Sequence, residues 1–396
     1  MTEDSRTRPM PVRLFAALAA LLLILAACTS DGDQATDTPG EETPAATAST
    51  GTGGPSPTGD GGGGGGTAIS TPLPNAEGEL IPVRMAQSVN ALSFAPLLIA
   101  LELNFFGYQG VDLEYIELES GATARQALIG GSVDLVDSAS TEVMAAVAEG
   151  VEYLTIQGTI NQTLQLCVER SFMEGKGVTP ESSLEERIAA LDGATIGITG
   201  PGAVSDRAMR WLLIEYGGLD PDNDTVITQI GGPPTLAAAL DAGQIQAFLI
   251  SPPACASAAN GVVLVEPGDV PEFVNYIHEV LFGMREWIEA NPDAATRVAT
   301  AISMGNNYII EHPEEALRVL QEGPFVDTDP AIVETAFYET ILPQVEALPS
   351  GLMSQEQWEE TNTVLLEAGV IESPVDVAEG GFWTNEYIDE EGAQLP

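Results

Sequence analysis

Ala127-Leu128-Ile129-Gly130-Gly131-Ser132-Val133-Asp134-Leu135-Val136 and, 112 positions further on, Ala239-Leu240-Asp241-Ala242-Gly243-Gln244-Ile245-Gln246-Ala247-Phe248 share one pattern. Each is the apolar end of a helix, a glycine that stops it, and a short apolar run of strand length. The echo implies two similar α/β lobes facing each other across a cleft.

Working outward, the first lobe alternates strands and helices. Val83 to Gln87 reads as a strand. Phe94, Leu97, Leu98 and Leu101 form one helical stripe, and Asn104 follows as a residue that tolerates the left-handed conformation. Leu113 to Glu117 is a strand, Ala122 to Ile129 a helix, Val133 to Val136 a buried strand, Thr141 to Glu149 a helix and Tyr153 to Gln157 a strand. This order implies a mostly parallel sheet flanked by helices. A second lobe begins near Asn161. Ser182-Ser183-Leu184-Glu185-Glu186 reads as the capping-box start of a short helix. Thr195 to Thr199, Ala203 to Tyr216, Val226 to Ile230, Pro234 to Ala242 and Gln246 to Ile250 alternate strand and helix. From Glu286 onward the pattern is helical, with starts at Asn291-Pro292 and His312-Pro313. The expected divisions are lobe one at 79–160, lobe two at 161–252, and a return to lobe one with C-terminal helices over 253–396.

The N-terminus has a different character. Arg6, Arg8 and Arg13 precede the apolar run Leu14 to Leu25, then Ala26-Ala27-Cys28. A basic start, an apolar stretch too short to span a bilayer and small residues before a cut make a secretory signal. Leu25-Ala26-Ala27-Cys28 resembles a bacterial lipobox, so residues 1–28 are expected to be a lipoprotein signal ending in an acylated Cys28. Residues 29–78 are mostly Gly, Thr, Pro, Ser, Asp and Ala, including Gly61 to Gly66, and offer almost nothing to bury. A disordered tether is expected there.

The chain carries 59 acidic and 13 basic residues, a net charge of −46, with Lys176 its single lysine. Nucleic-acid binding needs a basic footprint and is disfavoured. The acidity fits a solvated surface, and net charge does not describe a cleft. Beyond Cys28, Cys167 and Cys255 form either one disulfide or two buried thiols. No Cys-x-x-Cys or zinc spacing occurs, and His278 and His312 read as structural or surface residues, so no metal or cofactor is expected.

Ala95-Pro96-Leu97-Leu98-Ile99-Ala100, Phe105-Phe106-Gly107 and Gly110-Val111-Asp112-Leu113 resemble the opening of the nitrate/sulfonate/taurine/thiamine-precursor family of ABC-importer solute-binding proteins. Leu191-Asp192-Gly193-Ala194-Thr195-Ile196 and the tail Phe382-Trp383-Thr384-Asn385-Glu386-Tyr387 continue the likeness, which runs over most of residues 83–390. Asn104 stands where Gly is usual and Gln246 where Asp is usual. The resemblance implies an α/β, two-lobed periplasmic-binding-protein fold (type II) with a hinge. It also implies a small organic solute, an ABC permease and its ATPase as partners, a monomer, and a place outside the cytoplasm on the cell membrane. A sensor lobe reporting to a membrane receptor, or an enzyme on the same fold, are the alternatives. The enzyme relatives carry a His- and Cys-rich segment that is absent here.

In open α/β sheets ligands sit beyond the carboxyl ends of the strands. The turns there carry the candidate binding residues: Asn90, Ser93 and Phe94; Ser120 and Gly121; Ser138, Ser140 and Thr141; and, in the second lobe, Gly200, Gly202, Ser205 and Asp206. Asn161 and Pro252 lie where the chain passes between lobes. Hydroxyls, small residues and helix N-termini suit a sulfonate, carboxylate or phosphate, although each residue also serves as an ordinary helix cap. Gly200-Pro201-Gly202 is not a P-loop, because no Gly-Lys-Ser/Thr follows.

Overall fold

A computed structural model describes residues 69–396. The signal, Cys28 and most of the tether lie outside the described residues. The tail of the expected tether does not. Leu73 N–H donates to Leu103 O, Ala76 N–H to Gly107 O, and the Tyr308 hydroxyl to Ile69 O. Ile69 and Leu73 pack on the first-lobe core. The expected linker is therefore shortened: its last residues, from 69, are pinned to lobe one.

Among the described residues ten strands form two five-stranded sheets. The first comprises β1 (Ile81–Gln87), β2 (Val111–Glu117), β3 (Leu135–Ala139), β4 (Tyr153–Asn161) and β10 (Ile277–Met284), in the order β2-β1-β3-β10-β4. The second comprises β5 (Gln165–Glu169), β6 (Thr195–Ile198), β7 (Val226–Gln229), β8 (Ala247–Ile250) and β9 (Gly261–Val265), in the order β7-β6-β8-β5-β9. Each sheet has one antiparallel strand, β10 in the first and β5 in the second. Both are the strands that follow a crossing from the other lobe, so the two lobes have one topology.

The repeated sequence pattern is a repeated structure. After Ile129, Gly131 N–H donates to Leu128 O and Ser132 N–H to Ala127 O; after Asp241, Gly243 N–H donates to Leu240 O and Gln244 N–H to Ala239 O. These are paired Schellman closures, with φ of 70° at Gly131 and 67° at Gly243. The expected left-handed residue at Asn104 is present, with φ 57°.

Three expectations are corrected. The chain does not return to lobe one at 253, because β9 still pairs with β5; the second crossing lies between Val265 and Ile277. The third strand is displaced C-terminally, so Asp137 and Ser138 belong to β3 and Ser140 starts the next helix without a turn. The helix Gln355–Glu367 belongs to neither lobe alone. Trp358 and Leu365 pack into lobe one, Val364 joins the second-lobe core, and Trp211 Nε1 donates to Glu367 Oε2 at 3.0 Å.

The first-lobe core centres on the helices Ala95–Glu102 and Pro292–Glu311. These approach so closely at Gly305 that any β-carbon would overlap the backbone of Pro96. The second-lobe core surrounds Trp211. Cys167 of β5 and Cys255 are disulfide-bonded, with Cα atoms 5.4 Å apart, which decides between the two thiol readings. The tail motif adds to the edge of β4: Thr155 N–H donates to Phe382 O and Thr384 N–H to Thr155 O.

Candidate functional site

The carboxyl ends of both sheets face each other, and polar side chains are buried where they meet. Arg207, on the second-lobe helix Val204–Glu215, donates Nη1 to Thr141 O of lobe one at 2.9 Å. Leu92 N–H donates to Pro252 O at 3.0 Å. Gly200 lies beside Ser120, its missing β-carbon 3.3 Å from the Ser120 Oγ. The expected turns are thus brought together from both lobes.

The candidate residues divide by what already holds them. Ser120 caps the helix Gly121–Ile129, accepting from Thr123 N–H. Ser205 accepts from Thr199 N–H at 3.0 Å, and Ser140 donates to Ile277 O at 2.6 Å. Asp206 accepts from Gly202 N–H and from Arg210 Nε. These residues shape the loops with the same groups that were candidates for a ligand. Phe94 is fully buried in the first-lobe core. Pro252 precedes Pro253 through a cis peptide bond. Asn90 lines a groove of ≈ 640 Å³ between the lobes, shared with Pro233, Ala237 and Phe325. Asn161 lines another of ≈ 320 Å³ and accepts from Gln357 Nε2. Thr141 Oγ1 is buried and unpartnered.

Residues that the sequence reading passed over form the floor. Glu142, 1% exposed, sits one turn into the helix Ser140–Ala148 and accepts from Ser138 Oγ at 2.8 Å. Its carboxylate lies directly on Gly121, at the start of a neighbouring helix, where any β-carbon would overlap it. Burial raises its pKa, while Ser138, Arg207, Arg125 and the Val204 backbone N–H favour the ionised form. Glu279 of β10 accepts from Ser93 Oγ at 3.1 Å, and Asp137 of β3 accepts from Thr159 Oγ1 at 3.2 Å. The second oxygen of each, Oε2 and Oδ2, is buried without a partner. Burial pushes Asp137 up to about 7 and Glu279 well above the usual carboxylate range, with their mutual repulsion adding to Glu279. His278 is pushed down to about 3 by burial and is neutral. Its Nδ1 lies 2.9 Å from Thr163 Oγ1 of the first crossing, which is 2.8 Å from Ser251 Oγ just after β8, so a chain of hydroxyls from the first crossing and the second lobe ends on this ring. The signal for these residues was present: His278-Glu279 interrupts a run of apolar residues, and a buried strand has no reason to carry two titratable groups.

Two sheets of matching topology, joined by two crossings with buried polar groups between the lobes, define a two-lobed α/β fold. The periplasmic-binding-protein fold appears in solved structures. The nitrate-binding protein NrtA from Synechocystis PCC 6803 matches with a TM-score of 0.60 at 18% identity, covering 76% of this chain and 84% of that one. The alkanesulfonate-binding protein SsuA from Xanthomonas axonopodis pv. citri, bound to MOPS, matches with a TM-score of 0.60 at 16% identity, covering 76% and 97%. In sequence, the nitrate/nitrite binding protein NrtA of Nostoc sp. is 26% identical over 343 residues, 81% of this chain and 71% of that protein. The chain belongs to the NMT1-like family, whose pattern it matches over residues 83–321.

Proposed function

We propose that this chain is the solute-binding component of an ABC importer, closing two hinged lobes over a small organic solute and passing it to a membrane permease driven by its ATPase. The observation that carries the reading is the inter-lobe floor: polar groups from β3, β10 and the first crossing are buried together, with Asp137, Glu279 and Gln162 each keeping an unpartnered atom. Burying unpaired polar groups is costly, and a solute that pairs them offsets that cost. Ser93, Ser138, Thr141, Asn90 and Asn161 stand around this floor as binding candidates. Gly121, Gly200 and Gly202 let the two walls approach.

The protein is anchored outside the cytoplasm by lipid on Cys28 and works as a monomer; its acidity disfavours nucleic acid as a partner. The sequence does not name the solute; sulfonates, thiamine or riboflavin precursors and other small heterocycles or acids are all of a size that a two-lobed cleft encloses. Native mass spectrometry of freshly purified protein is expected to show a co-purified small molecule, and small-angle scattering a smaller radius of gyration with it than without. A radius that does not respond to any bound solute would sink the hinged-capture reading. For the anchor, Cys28→Ala is expected to move the protein out of the membrane fraction; retention through a high-salt wash contradicts lipidation.

A further inference from the structure

Two helix N-termini and an arginine meet at the cleft, the usual ingredients of an anion site. Here that place is taken by the protein's own carboxylate. Glu142 lies on Gly121 at the start of one helix, accepts from Ser138 Oγ, and is favoured as an anion by Val204 N–H, at the start of the facing helix, and by Arg207. An incoming nitrate or sulfonate would have to displace it, or sit beside it and repel it. Of the floor's unpartnered buried atoms, Asp137 Oδ2, Glu279 Oε2 and Asn90 Oδ1 are carboxyl or amide oxygens, against one amide N–H donor, Gln162 Nε2, and the Thr141 hydroxyl. Gln162 and Thr163 of the first crossing carry no charge, and His278 of β10, whose Nε2 lies 3.4 Å from Glu279 Oε1, is held neutral by burial. Three buried carboxyl groups, Asp137, Glu279 and Glu142, outnumber the two arginines near them, buried Arg207 and half-buried Arg125.

Resting on the binding-protein reading above, we propose that the solute is a nitrogen base, presenting a protonated amine or amidine to Asp137 and Glu279, and that Glu142 excludes small anions by filling their cradle. Asp137 of β3 and Glu279 of the neighbouring antiparallel β10 stand two register positions apart on one face of the sheet, a pair that suits a flat, forked donor such as an amidinium, which bonds two acceptors at once.

Four probes separate the possibilities: nitrate, methanesulfonate, benzamidinium and methylguanidinium, titrated by calorimetry against wild type, Asp137→Asn, Glu279→Gln and Glu142→Ala. Wild type is expected to bind at least one of the two cations and neither anion at millimolar concentration. Each floor variant is expected to weaken the cation by roughly ten- to a hundredfold, the loss of one charge-assisted hydrogen bond. In Glu142→Ala the emptied cradle is expected to take nitrate or methanesulfonate, seen as a melting temperature that these anions raise in the variant and not in wild type. Glu142→Gln, which keeps the shape, controls for misfolding. Saturable anion binding by wild type overturns the proposal, and if the radius of gyration falls as the anion binds, the hinged-capture reading survives it. Failure of both cations to bind likewise overturns it. Cation binding with no change in radius supports the ligand class and removes the hinge.

Discussion

Arg207 Nη1 and the carbonyl oxygen of Thr141 meet at 2.9 Å across the cleft, so a side chain of one lobe closes on the backbone of the other. Both residues are buried, and burial pulls the Arg207 pKa down while Glu142 supports its charge. A hydrogen bond from a charged donor contributes about 1.5–3 kcal/mol. Arg207→Gln is therefore expected to shift the protein toward an open form and to weaken solute binding by roughly ten- to a hundredfold. Small-angle scattering without solute would show the larger radius; an unchanged radius and affinity would mean that this contact does not hold the lobes.

The bond between Cys167 and Cys255 closes 88 residues of the second lobe, tying β5, the strand that enters from lobe one, to the segment after β8. A cross-link over a loop of that size typically stabilises by about 2–5 kcal/mol. The double variant Cys167→Ser with Cys255→Ser is expected to lower the denaturant midpoint of the second lobe. Tryptophan fluorescence reports this lobe through the buried Trp211, and Trp358 in lobe one supplies the comparison.

Much of this architecture was legible because its signals are local. Glycine stops after Ile129 and Asp241, the Ser183–Glu186 capping box and the stripe through Leu97 and Leu101 depend only on neighbours a few residues away. The strands β5, β9 and β10 were not read from the chain. Gln165–Glu169 contains one β-branched residue, Val168, and its strand character comes from being sandwiched between β8 and β9. The return crossing was misplaced for the same reason, since β9 is recognisable by its pairing with β5. The site was half legible. The turns that meet across the cleft were found, but hydroxyls such as those of Ser140 and Ser205 are held by backbone groups that only the folded chain brings near. Glu142 reads in sequence as an acid in the first turn of a helix, a common stabilising position. Its contact with Gly121 depends on packing between two helices and has no sequence signature.

Asp137 gives a pH signature whose sign can be worked out. Its folded pKa, about 7, lies above the ordinary value near 3.9 of an unfolded chain. The folded state holds the proton more tightly, so the protonated carboxyl favours folding at low pH. That contribution is lost as pH rises from about 4 to about 7, by something on the order of 4 kcal/mol. Glu279, raised in the same direction, acts with the same sign. The overall charge of −46 adds a general repulsion of like sign, so the informative quantity is a difference. Asp137→Asn mimics the protonated group, and its stability relative to wild type is expected to grow between pH 4.5 and 7.5 and then level off. Urea denaturation of both proteins across that range measures it; parallel curves would show that Asp137 is ionised throughout in the fold.

Gly121→Ala tests the packing that the site is built on. Gly121 begins its helix with no positive φ, so the backbone itself accepts alanine, and on propensity alone the change would stabilise by up to about 1 kcal/mol. The added methyl would land on both oxygens of the Glu142 carboxylate. Overpacking of this kind costs about 1–3 kcal/mol, and the carboxylate that must move is held by Ser138, so the cost is expected to exceed the gain. The expected outcome is a melting temperature several degrees lower. Gly175→Ala is the matched control: Gly175 lies within the helix Arg170–Lys176, a β-carbon there meets nothing within 4 Å, and its φ is not positive. That variant is expected to be as stable as wild type or slightly more so. If Glu142 moves aside at no cost, Gly121→Ala and Gly175→Ala will melt together, and the carboxylate is then a mobile occupant of the cleft rather than a fixed part of its wall. If only Gly121→Ala loses stability, and Gly121→Ala combined with Glu142→Ala regains it, the two residues are coupled through direct contact, because independent sites would add.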